Sequence, residues 1–294
     1  MIYFITVNYY STELVQQLLK SIAATVEEYQ LLIVNNSPED DSINDIAKSS
    51  VAVTVINAKR NLGFGVACNL GIEHVYRLNS QGIIWLINPD AIIEKKAVSY
   101  LRGCLKQEPS IAILGTRVRD LEGKIWFGLG TFNPWTGSLK HQLKREEGYD
   151  PQVNTINCRW VSGCSLILNL KQFDRCPSFD PHYFLYYEDA DLCERYYKKG
   201  YRIAVTQAVL VTHAVSAISQ RNLYTQFKHA TYSKLYFLKQ HGTALALWLN
   251  LVYMLMLVVL LFPKNRPVAI GRWQGLKNFI YGQIGKATRL SCTP

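Results

Sequence analysis

Five short apolar runs, separated by longer stretches with helical spacing, constrain the first 115 residues more than any other feature. The runs are 2–7, 31–34, 51–56, 83–87 and 111–114, rich in β-branched and aromatic residues. Between them apolar residues recur at helical intervals, as at Leu14, Leu18, Ile22 and Val26. A strand that is apolar along its whole length must be covered on both faces. This predicts a Rossmann-like α/β fold, a mostly parallel sheet with helices on either side. Ligands of such sheets bind beyond the carboxyl ends of the strands. Those ends are polar here: Asn8-Tyr9-Tyr10-Ser11, Asn35-Asn36-Ser37-Pro38-Glu39-Asp40, Lys59-Arg60-Asn61-Leu62-Gly63-Phe64-Gly65 and Asn88-Pro89-Asp90. Four strand ends thus offer hydrogen-bonding side chains to one rim, as a nucleotide site requires.

The pattern loosens over 116–215, where Trp126, Phe132, Trp135 and Trp160 punctuate Gly-rich loops and the apolar runs 165–170, 202–205 and 209–213 read as strands. A basic helix is predicted over 223–239, and 243–262 holds twenty residues without a charge. Of the 294 residues, 32 are Lys or Arg and 22 are Asp or Glu. Residues 216–294 contain ten of the basic residues and none of the acidic ones, so the first 215 residues balance 22 against 22. A neutral body with a basic appendage argues against a nucleic-acid binder with a generally basic surface. The apolar stretch is long enough to span a bilayer, but both flanks are basic. That favours a segment lying in the cytoplasmic leaflet, with its cations on anionic lipid, over a single span. A buried core helix is the alternative. Seven cysteines without a C-x-x-C pair predict neither a disulfide framework nor a zinc site. The first residues run straight into a strand, with no basic region and no cleavage pattern of a signal peptide. Three units are expected: 1–115 with the nucleotide rim, 116–215 with the acidic Glu188–Asp191 segment, and 216–294 as a membrane-associating tail.

Three motifs carry chemistry. Asp90, at the end of a buried strand, can hold a divalent cation against a diphosphate, or simply cap the next helix. Glu188-Asp189-Ala190-Asp191 follows Tyr183, Phe184, Tyr186 and Tyr187. A carboxylate among aromatics is partly desolvated, which raises its pKa and suits it to general-base work. Asp191 and Arg195 stand i, i+4 on the helix that follows and are expected to pair. The Gly-rich run 61–71 departs from a dinucleotide fingerprint, having Cys68 where the third Gly belongs; it lets a helix start close to a ligand, or forms a turn that merely packs. His213 ends an apolar run and is either structural or a ligand.

In this order and spacing, Val7-Asn8-Tyr9, the run 61–71, Leu86-Ile87-Asn88-Pro89-Asp90 and the run 184–195 resemble the family 2 glycosyltransferases of the GT-A fold, in particular a rhamnosyltransferase-like group that builds cell-surface polysaccharide. The resemblance covers roughly residues 2–240. It implies an inverting transfer from a dTDP- or UDP-sugar to a glycan or polyprenyl-linked acceptor on the inner face of the cell membrane, with Mg²⁺ or Mn²⁺ and a possible homodimer. It implies Asp189 as general base with Glu188 beside it, and Asp90 with His213 on the metal. The donor would lie on Val7, Asn8, Tyr9, Asn35, Arg60, Asn61, Gly63, Asn69, Asn88 and Asp90. The acceptor would lie near Trp160, Gly163 and Asp191, with Trp126 and Trp135 as further stacking candidates. Two positions depart from the family pattern: Asn88 reduces the D-x-D motif to Asn88-x-Asp90, and Asn35 replaces an Asp expected on the pyrimidine. Those departures leave room for a non-catalytic, nucleotide- or glycan-binding member. A sugar-phosphate nucleotidyltransferase would need a Gly-rich basic loop after the first strand, where this chain has Asn8-Tyr9-Tyr10-Ser11.

Overall fold

The structure, a computed structural model, describes residues 1–48, 50–142, 154–214 and 222–282. All five predicted runs are strands. They are β1 (Ile2–Asn8), β2 (Tyr29–Asn35), β3 (Val53–Asn57), β4 (Ile83–Ile87) and, after the short β5 (Ala91–Ile93), β6 (Ile111–Arg119). The helices between them are α1 (Thr12–Ala23), α2 (Asn44–Lys48), α3 (Phe64–Leu78) and α4 (Ala97–Gln107). The third strand starts later than the run suggested, because Val51 and Ala52 are taken up in a turn.

Strands β1 to β4 are mutually parallel, and the order β3-β2-β1-β4 places a switch point between β1 and β4. All seven residues of β1 are buried, as expected of a strand covered on both faces. Helix α1 buries Val15, Leu18 and Ile22; of the expected stripe Leu18 and Ile22 are buried, Leu14 is only partly so, and Val26 lies beyond the helix end. Helix α3 lies close enough to β1 that a Cβ at Gly71 would stand 2.7 Å from Ile5 Cγ2. Trp85 stacks on Phe4 at 5.4 Å between ring centroids, and its indole N–H donates to Ser165 Oγ at 2.9 Å.

The second half of the body completes the same sheet. Its elements are β7 (Ile125–Phe127), β8 (Leu129–Asn133), β9 (Ser138–Gln142), β10 (Thr155–Asn157), β11 (Ser165–Asn169), α5 (Glu188–Lys198) and β12 (Arg202–His213). Strand β11 inserts between β4 and β6 and runs antiparallel to both. The expected boundary at residue 115 therefore falls inside β6, and one core runs through both halves. The runs 202–205 and 209–213 form a single irregular strand, β12, whose end pairs with β5: His213 opposite Ala91.

Three helices close the described chain: α6 (Leu223–His241), α7 (Ala244–Leu261) and α8 (Arg266–Tyr281). Gly271 and Gly275 let α8 approach the backbone of α6, at the carbonyls of Tyr224 and Lys228. Helix α7 is the apolar segment, with a mean hydropathy of 2.5. It buries only Ala246, Asn250 and Met254, one stripe at i+4 spacing, while Leu245, Trp248 and Val259 are 60–72% exposed. The core-helix alternative is thereby excluded.

Candidate active site

The polar strand ends converge as the sheet topology requires. Asn8 Nδ2 donates to Asn35 Oδ1 at 3.2 Å and lies 3.4 Å from both Ser37 Oγ and Asp40 Oδ2. Its Oδ1 accepts from the backbone N–H and the hydroxyl of Ser11, each at 3.0 Å. Asn36, which the sequence reading passed over, bonds the Gly-rich loop: its Oδ1 accepts from Leu62 N at 2.8 Å and its amide donates to Asn61 Oδ1 at 3.0 Å. Tyr9 and Tyr10 stand exposed beside this network, and Arg60, next to Asn61 in the chain, is exposed.

Across the switch point, β5 carries Asp90 to the end of β12. His213 Nε2 lies 2.9 Å from Asp90 Oδ1 and 3.5 Å from Asn88 Nδ2. Both members of the Asp90–His213 pair are buried, and His213 Nδ1 has no hydrogen-bond partner. Trp126 covers the imidazole, its ring centroid 4.7 Å away. An imidazole nitrogen and a carboxylate oxygen thus meet at one point. No group of three metal-ligating side chains occurs among the described residues. Such a pair suits Mg²⁺ or Mn²⁺, which complete their coordination with phosphate oxygens and water.

The carboxylates Glu188 and Asp189 open α5, where the helix dipole favours negative charge. Asp189 is half-buried; its Oδ2 accepts from Gly163 N at 2.8 Å and its Oδ1 from Ala190 N at 2.7 Å. Gly163 is followed by Cys164, whose carbonyl accepts from Asn88 N at 3.0 Å. Two adjacent residues therefore tie the Asn88-Pro89-Asp90 turn to Asp189. Burial raises the Asp189 carboxyl, against the lowering effect of its backbone donors. Glu188 is more buried and its Oε2 has no hydrogen-bond partner. Burial, then the charges of Asp189 and Asp191, push it up to about 8. The backbone donors point at Asp189 and favour its ionised form, while Glu188, with no partner for Oε2, is the carboxyl that burial keeps protonated.

A stability signature follows. Folded Glu188 keeps a proton that the unfolded chain releases at ordinary carboxylate pH. Its favourable contribution is complete below that range and is lost as the pH rises to about 8. Glu188→Gln, which has no proton to lose, is expected to match the native protein in urea midpoint near pH 5 and exceed it near pH 9. An equal offset at both values would contradict the assignment.

The model of the family described as "Glycosyl transferase family 2" matches residues 3–165. The chain belongs to this family. The glycosyltransferase is 25% identical over 215 residues to the N-acetylglucosaminyl-diphospho-decaprenol L-rhamnosyltransferase of Mycobacterium tuberculosis, covering 65% of this chain and 68% of that one. It is 24% identical over 228 residues to the rhamnosyltransferase WbbL of Escherichia coli, covering 72% and 83%. Its fold is GT-A. The mannosyltransferase PcManGT of Pyrobaculum calidifontis, solved with GDP-Man and Mn²⁺, superposes with a TM-score of 0.56 at 11% identity, covering 96% of this chain and 87% of that one.

Several residues expected on donor or acceptor are engaged inside the glycosyltransferase itself. Asn35 Oδ1 already accepts from Asn8, from Ser37 N and from Ser37 Oγ, and its amide donates to Asn57 and to the Asp40 carbonyl. Asn69 bonds the backbone of Phe179 at both ends of its amide, at 2.8 and 2.9 Å. Val7 is a core residue. Trp160 is buried, donating to the Thr131 carbonyl at 3.2 Å. Trp135 stands 69% exposed at the β8–β9 turn, which packs on α6 and α7 through Gly137. Trp126 packs against His213 of the Asp90–His213 pair. Asp191 is fully buried and pairs with Arg195 at 2.6 Å, as its spacing predicts, but also accepts from His241 Nε2 at 2.8 Å. It holds helices together and is closed to an acceptor. Gly163 acts through its N–H, which fixes Asp189.

Gly63 adopts φ +79°, and a Cβ there would overlap the carbonyl oxygen of Phe184. The Gly-rich turn therefore packs on the segment leading to Glu188. Gly63→Ala is expected to cost about 2–3 kcal/mol, through the left-handed backbone and the backbone overlap. A denaturation midpoint equal to that of the native protein would contradict this.

Proposed function

We propose that the chain transfers rhamnose, or a closely similar hexose, with inversion from a dTDP- or UDP-sugar to a glycan or polyprenyl-linked acceptor in cell-surface polysaccharide synthesis. The observation that carries this reading is the half-buried Asp189 carboxylate, held by two backbone N–H groups and tied through Gly163 and Cys164 to the turn bearing Asp90. A base fixed by donors to its ionised form, with its pKa raised by burial, is suited to taking a proton near neutral pH. As the acceptor oxygen attacks the anomeric carbon, its proton passes to Asp189. The bond from that carbon to the diphosphate oxygen breaks, and the nucleoside diphosphate leaves. Asp90 and His213 are the residues that would hold Mg²⁺ or Mn²⁺, and the ion would supply positive charge to the departing diphosphate. Tyr9, Arg60, Asn61 and Asn88 line the donor rim, and Asn8, fully buried and bonded to Asn35 and Ser11, braces the strand ends beneath it. A pyrimidine reaching Asn35 would have to displace one of its present donors. Trp126, whose ring packs against His213 at a 56° tilt, is the candidate platform for a sugar ring. The two rhamnosyltransferases among its relatives support the sugar class, and the decaprenol in one of their names supports a lipid-linked acceptor.

We further propose that α7 lies in the cytoplasmic leaflet and brings this site to such an acceptor. Lys234 Nζ stands 5.9 Å from the Tyr253 ring, and Arg272 Nη1 stands 3.3 Å from Met254 Sδ. Both cations flank the middle of α7. A packed span would put them at the bilayer centre, at roughly 2.5–3.5 kcal/mol each on insertion scales. The exposed face of α7 with basic neighbours fits the interface plane instead.

The test is transfer of labelled rhamnose from dTDP-rhamnose by the full chain into the lipid extract of bacterial membranes, with the anomeric configuration of the product read by NMR. Labelled lipid of inverted configuration is expected; label released only as free sugar would refute the transfer. Flotation with vesicles tests the membrane reading: binding to 30% anionic vesicles is expected, and loss of it in Trp248→Glu with Leu249→Glu. Flotation unchanged in that double variant would remove α7 as the anchor.

A further inference from the structure

The segment 184–191, which carries the Glu188-Asp189 pair, is strained. Tyr186 and Tyr187 both adopt left-handed backbone angles, φ +69° and +67°. Two consecutive tyrosines in that region persist only where the surroundings over-determine them. One face of α6 lines this segment. His229, Ser233, Phe237 and His241 recur at i+4 spacing and are all buried. The His229 ring stacks on Phe184 at 4.5 Å. Ser233 Oγ donates to the Leu185 carbonyl at 2.9 Å. The Phe237 ring packs on Tyr187 at 5.5 Å. His241 Nε2 lies 2.8 Å from Asp191 Oδ1, while Lys198 Nζ lies 3.1 Å from its Nδ1. Lysine can only donate, so Nδ1 accepts and the proton sits on Nε2, facing Asp191.

The four contacts run in register. Successive turns of α6 meet residues 184, 185, 187 and 191, with Glu188 and Asp189 lying between the last two. We propose that this stripe of α6 is a positioning template for Asp189: it imposes the left-handed turn at Tyr186-Tyr187 and fixes the first turn of α5, so that the carboxylate meets the Gly163 N–H. Ser233 and His241 are thus positioning residues for the transfer reaction. This inference rests on the reading of Asp189 as the base. The same helix leads through Gly242 into α7, so the template is built into the helix that precedes the interfacial one.

The test uses the full chain with dTDP-rhamnose and a polyprenyl-diphosphate N-acetylglucosamine acceptor. Ser233→Ala and His241→Ala are expected to lower kcat about tenfold per folded molecule while the donor KM stays within about twofold, the pattern of a lost transition-state arrangement. Amide hydrogen exchange over 184–191 is expected to rise in both. His241→Gln, which keeps an N–H near the Nε2 position, is expected to recover most of kcat. Leu238→Ala controls for general loosening of α6, since Leu238 faces Gly137 and not the segment. It is expected to lower the denaturation midpoint with kcat per folded molecule unchanged. If Ser233→Ala and His241→Ala lower only stability, or if Leu238→Ala produces the same kcat loss, the template is refuted. Full turnover in Asp189→Asn would instead refute the base assignment on which it rests.

Discussion

Asp189→Asn is expected to lower kcat by about three orders of magnitude, within the range for removal of a general base. Nucleoside diphosphate affinity should stay within a factor of about two, because an interaction made only in the transition state is lost. The change is nearly isosteric: one amide oxygen remains to accept a backbone N–H, as Asp189 Oδ2 accepts from Gly163. What disappears is the capacity to take a proton, together with the acceptor for the Ala190 N–H. Glu188→Gln should be far milder, since Glu188 holds its proton up to about 8 and a glutamine mimics that form. Steady-state kinetics of the two variants side by side check the assignment. Equal losses in both, or a larger loss in Glu188→Gln, would transfer the role to the neighbour.

Asp90→Ala is expected to weaken metal-dependent binding of the nucleoside diphosphate about 100-fold, or about 2.7 kcal/mol. The turn should survive the loss of the side-chain contact to His213, because the Asp90 backbone carbonyl still accepts from Ala214 N at 3.0 Å. His213→Ala should cost less, about tenfold, because an imidazole is the weaker partner for a hard cation that prefers oxygen. Calorimetry with and without Mn²⁺ separates the two effects. Affinity lost equally with and without the metal would mean that Asp90 shapes the pocket rather than holding an ion.

The parallel core of this glycosyltransferase was legible because its strands are apolar along their whole length, and only a sheet covered on both faces accepts such runs. The rim was legible for the same reason: once the strands are placed, Asn8, Asn35 and Asn88 must fall at their carboxyl ends. Direct side-chain roles were less readable. Asn35 and Asn69 carry the right chemistry at the right place, yet their amides bond neighbours that only the folded chain supplies, Ser37 and Asn57 for one and Phe179 for the other. The pairing of Asp191 with Arg195 is a local rule of helices, whereas His241 arrives from 50 residues away. The Asp90–His213 pair depends on β5 meeting the end of an irregular β12, a contact across 123 residues. Glycines pose the same problem. The sequence shows that Gly63 lacks a Cβ, but only the structure shows that the Phe184 backbone fills its place.

The central claim is a metal-dependent pyrimidine-nucleotide site at the carboxyl ends of β1, β2 and β4. The most direct measurement is the denaturation midpoint of the full chain with UDP, dTDP, GDP and ADP, each with and without Mn²⁺. The account predicts that UDP or dTDP raises the midpoint only when Mn²⁺ is present, and that GDP and ADP do not. A shift that ignores the metal, or none with any of the four nucleotides, would contradict it.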